Sequence, residues 1–188
     1  MIARRPRGFN PRRWSRIRRV TGYIGAGSNL GDREAHLAAG LLGLEAHGIR
    51  LGRVSSLWET EPVGGAGPGW FLNLCASIET DRPPLDVLAA LLRLEADAGR
   101  VRTGVQAPRT LDLDLLLLDD QTIATPALTL PHPRMWERGF VLAPLAEIAP
   151  SLRNPRTGRT VAEELAALRD GAVARKLGPI ALRRVGPV

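Results

Sequence analysis

The sequence predicts an α+β sandwich, an antiparallel sheet with helices packed on it. Two observations carry that expectation. The 188 residues make one domain-sized chain, 44% apolar and 24% charged, large enough for a single sizeable core. Along it, apolar residues switch between period-two runs and helical spacing in the order strand, helix, strand, strand, helix, strand.

The elements follow in turn. Val20–Gly25 is a short apolar run followed by glycines, and is predicted as a strand. Asp32–His47 carries Leu37, Leu41 and Leu44 on one helical face. Ile49–Glu61, with Ile49, Val54 and Trp58, is predicted as one long strand, and Trp70–Thr80, alternating through Phe71 to Ile78, as another. Between them Gly64, Gly65, Gly67, Pro68 and Gly69 form a flexible loop. Pro84–Ala98 is the second long helix, with proline in its first turn and Gly99 just past its end. Thr110–Leu118 is the last strand, and Val141–Ile148 and Val161–Leu168 are short helices. The order βαββαβ is that of the ferredoxin-like fold.

The formal charge of +7 invites a nucleic-acid reading, which its distribution weakens. Residues 1–20 hold eight arginines and no acid, whereas residues 21–168 hold 13 basic and 18 acidic side chains. The expected organisation is therefore a disordered Arg-rich extension over 1–20, a folded body over 21–168 and a loosely ordered basic tail over 169–188. The extension has no apolar core of a secretory signal. No apolar run reaches membrane-spanning length, and a single cysteine, Cys75, allows no disulfide framework. These features point to the cytoplasm.

The strongest chemical feature is Arg109-Thr-Leu-Asp-Leu-Asp-Leu115. On a strand, Asp112 and Asp114 share one face, roughly 6.6–7 Å apart, while the leucines take the other. The pair is either the solvated face of an edge strand or a pair of hard oxygen ligands suited to Mg²⁺ shared with phosphate oxygens. Arg100, Arg102 and Arg109 precede it, either as surface ion pairs or as phosphate ligands. His132, between two prolines, and Arg138 form a second cluster. Gly25-Ala-Gly-Ser-Asn-Leu-Gly31 spaces its third glycine wrongly for a dinucleotide fingerprint; it is a tight turn with Asn29 or Asp32 capping the helix, or a ligand contact. A P-loop lysine is absent, the only lysine being Lys176.

Together these segments resemble the 6-hydroxymethyl-7,8-dihydropterin pyrophosphokinase family. The resemblance rests on Gly27-Ser-Asn-Leu-Gly31, Arg100-Val-Arg102, Pro108-Arg-Thr-Leu-Asp-Leu-Asp114, Leu130-Pro-His-Pro-Arg134, Arg138-Gly-Phe140 and Pro144-Leu-Ala-Glu-Ile-Ala-Pro150, collinear over about residues 21–165. It implies the same ferredoxin-like fold and transfer of pyrophosphate from ATP to the pterin hydroxymethyl group, with release of AMP and two Mg²⁺ ions bound. Under it Asp112 and Asp114 are the metal ligands and Arg100 and Arg109 the catalytic arginines. Arg102, His132 and Arg138 contact the triphosphate. Thr60, Val63, Phe71, Asn73 and Phe140 form the pterin pocket, and Glu95 is a supporting residue. The resemblance also implies a monomer acting on ATP and the dihydropterin; the apolar pattern gives no membrane partner, and the charge distribution disfavours nucleic acid.

The chain departs from the family's pattern in the loop before Pro108. Ala107 replaces a usual glycine, Thr103–Ala107 is about one residue short, and Gln106 stands where the family often has an aromatic residue. A nucleic-acid module with an Arg-rich arm, and a catalytically impaired relative, are the competing readings.

Overall fold

The computed structural model describes residues 19–61, 69–100, 108–169 and 174–183. The Arg-rich segment before Arg19, Val63 with the glycines of its loop up to Pro68, and Arg102 with the 103–107 stretch lie outside the described residues. In chain order the elements are β1 (Val20–Ser28), α1 (Arg33–Gly43), β2 (Arg50–Val54), β3 (Ser56–Thr60), β4 (Phe71–Thr80), α2 (Pro84–Asp97), β5 (Asp112–Leu118), β6 (Ile123–Ala124), β7 (Thr129–Leu130), α3 (Gly139–Ile148), α4 (Val161–Ala167) and β8 (Ala174–Pro179).

The main sheet runs β5-β1-β4-β3-β8, with β2 also paired to β4, and its neighbours are all antiparallel. With β2 and β3 taken as one interrupted strand, the inner strands lie in the order fourth, first, third, second, as the βαββαβ arrangement requires. On one face Leu37 and Leu41 of α1 and Val87, Leu91 and Leu94 of α2 bury against Ile24, Leu72, Leu74, Leu113 and Leu115. Each such leucine contributes about 1.5–3 kcal/mol of burial. On the opposite face Val141, Leu142 and Leu145 of α3, with Val161 of α4, bury against Cys75, Leu116 and Leu117.

Three expectations are corrected. The single long strand over Ile49–Glu61 breaks at Ser55, whose N–H donates to the Cys75 carbonyl at 2.9 Å and whose Oγ accepts from the Cys75 N–H at 3.0 Å. The break is physically required. Leu51, Val54 and Leu57 all pack on the same core, and a spacing of three cannot put residues on one face of a regular strand; a register shift between Leu51 and Val54 absorbs the first spacing and the break at Ser55 the second. The loosely ordered tail is the second correction: its Ala174–Pro179 stretch is β8, which pairs with β3 from Ser56↔Pro179 to Thr60↔Ala174. A run of six residues containing arginine, lysine, glycine and proline carries no strand period, and only the open edge of β3 makes it one. α1 is also shorter than expected, passing into a 3₁₀ turn over Leu44–His47 that ends at Gly48 with φ 70°.

Candidate active site

The site floor is set by register. Asp112 of β5 pairs with Gly27 of β1, Gly27 with Asn73 of β4, and Asn73 with Trp58 of β3, so four strands place one row of residues on the same face. One step along, Asp114 pairs with Gly25 and Gly25 with Cys75. Gly25 and Gly27 therefore lie inside β1, and the predicted strand end at Gly25 moves to Ser28. They keep the centre of the floor clear: a Cβ on Gly27 would stand 2.9 Å from Asn73 Oδ1 and 3.9 Å from Phe71 Cδ1. Strand glycines of this kind mark close approach of a ligand or of another chain segment.

On the β5 side, Asp112 Oδ1 accepts from Arg100 Nη1 and its Oδ2 from Arg109 Nη1 at 2.7 Å. Arg100 is also paired with Glu95, a carboxylate only 2% exposed on α2, whose Oε1 accepts from the Leu113 N–H at 2.8 Å. Glu95 thus ties the arginine to the backbone of the strand bearing the acidic pair. The Asp114 carboxylate has no hydrogen-bond or ion-pair partner among the described residues. Burial, and then the charge of Asp112, raise its pKa above the ordinary carboxyl value, against the pull of His132, Arg138 and Arg100. His132 is pushed down by its own burial, which Asp114 opposes and Arg138 and Arg134 reinforce. Two adjacent carboxylates, one with no partner, are a donor set that fits a hard divalent cation. Among the described residues no three His, Cys, Asp or Glu side chains form a closed metal centre. An ion here would share its coordination with phosphate oxygens and water, as Mg²⁺ commonly does.

On the β3–β4 side, Asn73 Nδ2 donates to Thr60 Oγ1 at 2.7 Å, and both residues are buried. Arg109 lies over the Phe71 ring with 5.9 Å to its centroid, and Arg138 over the Phe140 ring at 5.3 Å. Arg109 therefore touches both the acidic pair and the aromatic side of the floor. The structure brings together Glu95, Arg100, Arg109, Asp112, Asp114, His132 and Arg138 on one side, and Thr60, Phe71 and Asn73 on the other, while Phe140 is placed through its contact with Arg138. Arg102 and Val63 lie outside the described residues. Cys75 is fully buried with its thiol donating to the Val141 carbonyl at 3.5 Å, and burial holds its pKa far above the ordinary thiol value, so it is inert.

The structure separates the two candidate caps and adds a wall that the sequence does not predict. Asp32 alone caps α1, accepting from the Ala35 N–H. Asn29 instead clamps Arg109: it donates its N–H to the Arg109 carbonyl at 3.1 Å and accepts the Arg109 N–H on Oδ1 at 2.8 Å. A cleft of ≈300 Å³ runs from Asp112 and Asp114 along the free edge of β5, walled by Leu88 and Leu92 of α2 and by the β6–β7 turn around Thr125–Thr129. Leu92 is half-exposed there, outside the buried stripe of α2. A larger cavity of ≈560 Å³ around Arg33, Glu59 and Trp70 is lined by Asn29 and Gly31 of the glycine segment but by none of the expected metal, phosphate or pterin residues.

Residues 23–150 match the 7,8-dihydro-6-hydroxymethylpterin-pyrophosphokinase (HPPK) family. The 2-amino-4-hydroxy-6-hydroxymethyldihydropteridine pyrophosphokinase of Bacillus subtilis is 42% identical over 143 residues, 76% of this chain and 86% of that protein. The chain belongs to the HPPK family. The Pseudomonas aeruginosa protein of the same name is 44% identical over 152 residues, covering 80% of this chain and 92% of the relative. Among solved structures, an HPPK-DHPS of Plasmodium falciparum superposes with a TM-score of 0.63 at 14% identity over 82% of this chain, which shows the shared fold. This chain spans 46% of that longer polypeptide. As a member of the family the protein is an ATP-dependent pyrophosphokinase that acts on hydroxymethyldihydropterin in folate biosynthesis. Among the described residues no helix is long and apolar enough to cross a membrane.

Proposed function

We propose that the pyrophosphoryl transfer takes place over Gly25 and Gly27, between the acidic pair on β5 and the Thr60–Asn73 pair on β3 and β4. The supporting observation is the register row that sets Asp112, Gly27 and Asn73 side by side. Asp112 and Asp114 would hold Mg²⁺, two ions under the family resemblance, which when bound neutralises phosphate charge and orients the triphosphate. The triphosphate lies against Arg102, His132 and Arg138, with the nucleoside in the cleft walled by Leu88, Leu92 and the β6–β7 turn. The pterin is a flat polar heterocycle. Phe71 and Phe140 offer it aromatic faces, Asn73 and Thr60 offer hydrogen-bonding groups, and Val63 adds an apolar contact.

The chain's own residues do the following. Arg100 and Arg109 neutralise Asp112. Phosphate oxygens compete for the same guanidinium groups, in the bidentate manner arginine favours. Arg100 keeps Glu95 as a partner throughout, so it stays aimed at the site. Arg109, clamped by Asn29 and lying over Phe71, stabilises charge on the transferring group while the pterin hydroxyl attacks in line. Catalysis is then mostly positioning and charge neutralisation. Residues 21–168 form the catalytic unit, acting as a monomer in the cytoplasm.

The test is AMP formation from ATP, the dihydropterin and Mg²⁺. Asp112→Ala and Asp114→Ala should each lower kcat by at least about a thousandfold with the fold intact by circular dichroism. Turnover near the parent level in either variant overturns metal ligation at that residue.

A further inference from the structure

The Pro144–Pro150 motif holds one charged residue, Glu147, that no step above uses. It lies on α3 seven residues after Phe140, so the two share a helix face, about 10.5 Å apart along the axis. Its carboxylate is gripped from two strands. Trp58 Nε1 of β3 donates to Oε1 at 2.5 Å, the Ser56 N–H donates to Oε2 at 3.2 Å, and Lys176 Nζ of β8 pairs with Oε2 at 3.2 Å. Partial burial works against the charge, but these three donors outweigh it and hold the carboxyl below its ordinary pKa. The same end of α3 is tied to the strand before, where Arg53 Nη1 donates to the Ile148 carbonyl at 2.8 Å. Trp58 is the register partner of Asn73 and lies two residues from Thr60 on the same strand face.

We infer that Glu147 is a positioning residue for the pterin, locking α3, which carries Phe140, to the strand that carries Thr60, with Lys176 of the C-terminal strand as its counter-ion. The geometry gives the reason. A helix held only by its apolar face can rotate about its axis, and a rotation of about 15° moves a side-chain tip at about 5–6 Å radius by about 1.5 Å. Misplacement on that scale, far from the reacting atoms, is costly. A carboxylate with three fixed donors resists the rotation in a way that leucine contacts do not. The stretch after Leu168 thereby becomes part of the working site: β8 supplies the one lysine of the chain to the buckle.

The inference rests on the pterin pocket proposed above, and the experiment separates the two. Steady-state KM for the dihydropterin and for ATP is measured for the full chain and for Glu147→Ala, Trp58→Phe and Lys176→Met, at a temperature well below each variant's Tm. Glu147→Ala should raise the pterin KM at least tenfold while the ATP KM changes less than threefold. Trp58→Phe and Lys176→Met should raise the pterin KM by smaller factors, and Glu147→Gln, which keeps an acceptor for Trp58, should recover part of the loss. If Glu147→Ala does not fold, the Trp58→Phe and Lys176→Met split decides. An unchanged pterin KM, or parallel rises in both KM values, overturns the inference and leaves Glu147 as a fold contact. Absence of any AMP from the parent chain overturns the proposed function instead.

Discussion

Gly27→Ala tests the shape of the site floor with a single methyl group. A strand glycine is ordinarily unfavourable, so adding a Cβ there should gain stability, by about 0.5–1 kcal/mol. Here the Cβ would stand 2.9 Å from Asn73 Oδ1, closer than folded chains tolerate, while Phe71 Cδ1 at 3.9 Å and Asp112 Cβ at 4.0 Å are at ordinary contact. The strain therefore falls on one amide. Asn73 must move by a few tenths of an ångström, and it is 6% exposed and bonded to Thr60 at 2.7 Å. Weakening that buried hydrogen bond costs about 1–3 kcal/mol, which roughly cancels the backbone gain in stability but falls directly on the pterin contacts. At about 1.4 kcal/mol per factor of ten, the pterin KM should rise about 5- to 140-fold. Tm should move by no more than a few degrees and the ATP KM should hold. Initial-rate assays with each substrate varied in turn, alongside thermal melts, give the three quantities. A pterin KM within twofold of the parent would refute the argument that Gly27 keeps the floor clear for the ligand. So would a loss confined to ATP.

Two other expectations are simpler. Arg109→Ala should lower kcat by about a hundredfold to a thousandfold, the range for losing one charge-stabilising donor, and raise the pterin KM much less; equal losses would make Arg109 a ground-state contact only. Glu147 also predicts a pH dependence of stability. Its folded pKa is below the ordinary 4.5, so its contribution is fully present above that value and is lost as pH falls through the depressed one. The Tm gap between the parent and Glu147→Gln should then be constant near neutrality and shrink in acid, and a gap that widens in acid would contradict the assignment.

Much of the site was legible because its residues are packed into short collinear segments. Asp112 and Asp114 share a face by strand period alone, and Arg109 and Phe140 sit beside equally distinctive neighbours. Glu95 was harder, since a glutamate on an amphipathic helix usually faces water; the structure buries it because Arg100 and the Leu113 N–H supply partners. The extent of the strand through the glycine segment is not legible from sequence. Gly-Ala-Gly looks like a turn, and nothing local says that β1 continues through it to Ser28 with Asp112 and Asn73 as neighbours. Asn29 was legible as a cap and turned out to be a clamp on Arg109, because its partner is eighty residues away.

The sequence by itself determined the βαββαβ order of the core elements, the helix and strand faces of that core, and the identity of the groups that carry charge. Each of these is written in periods of two or 3.6 residues or in contiguous motifs. Only the tertiary structure decided which strands lie side by side, and with them the row joining Asp112, Gly27, Asn73 and Trp58. It also decided that the stretch after Leu168 pairs with β3, and that Glu147 faces Trp58 and Lys176. Those facts depend on antiparallel register between strands far apart in the chain. Register comes from the packing of whole faces, which no local run of residues encodes.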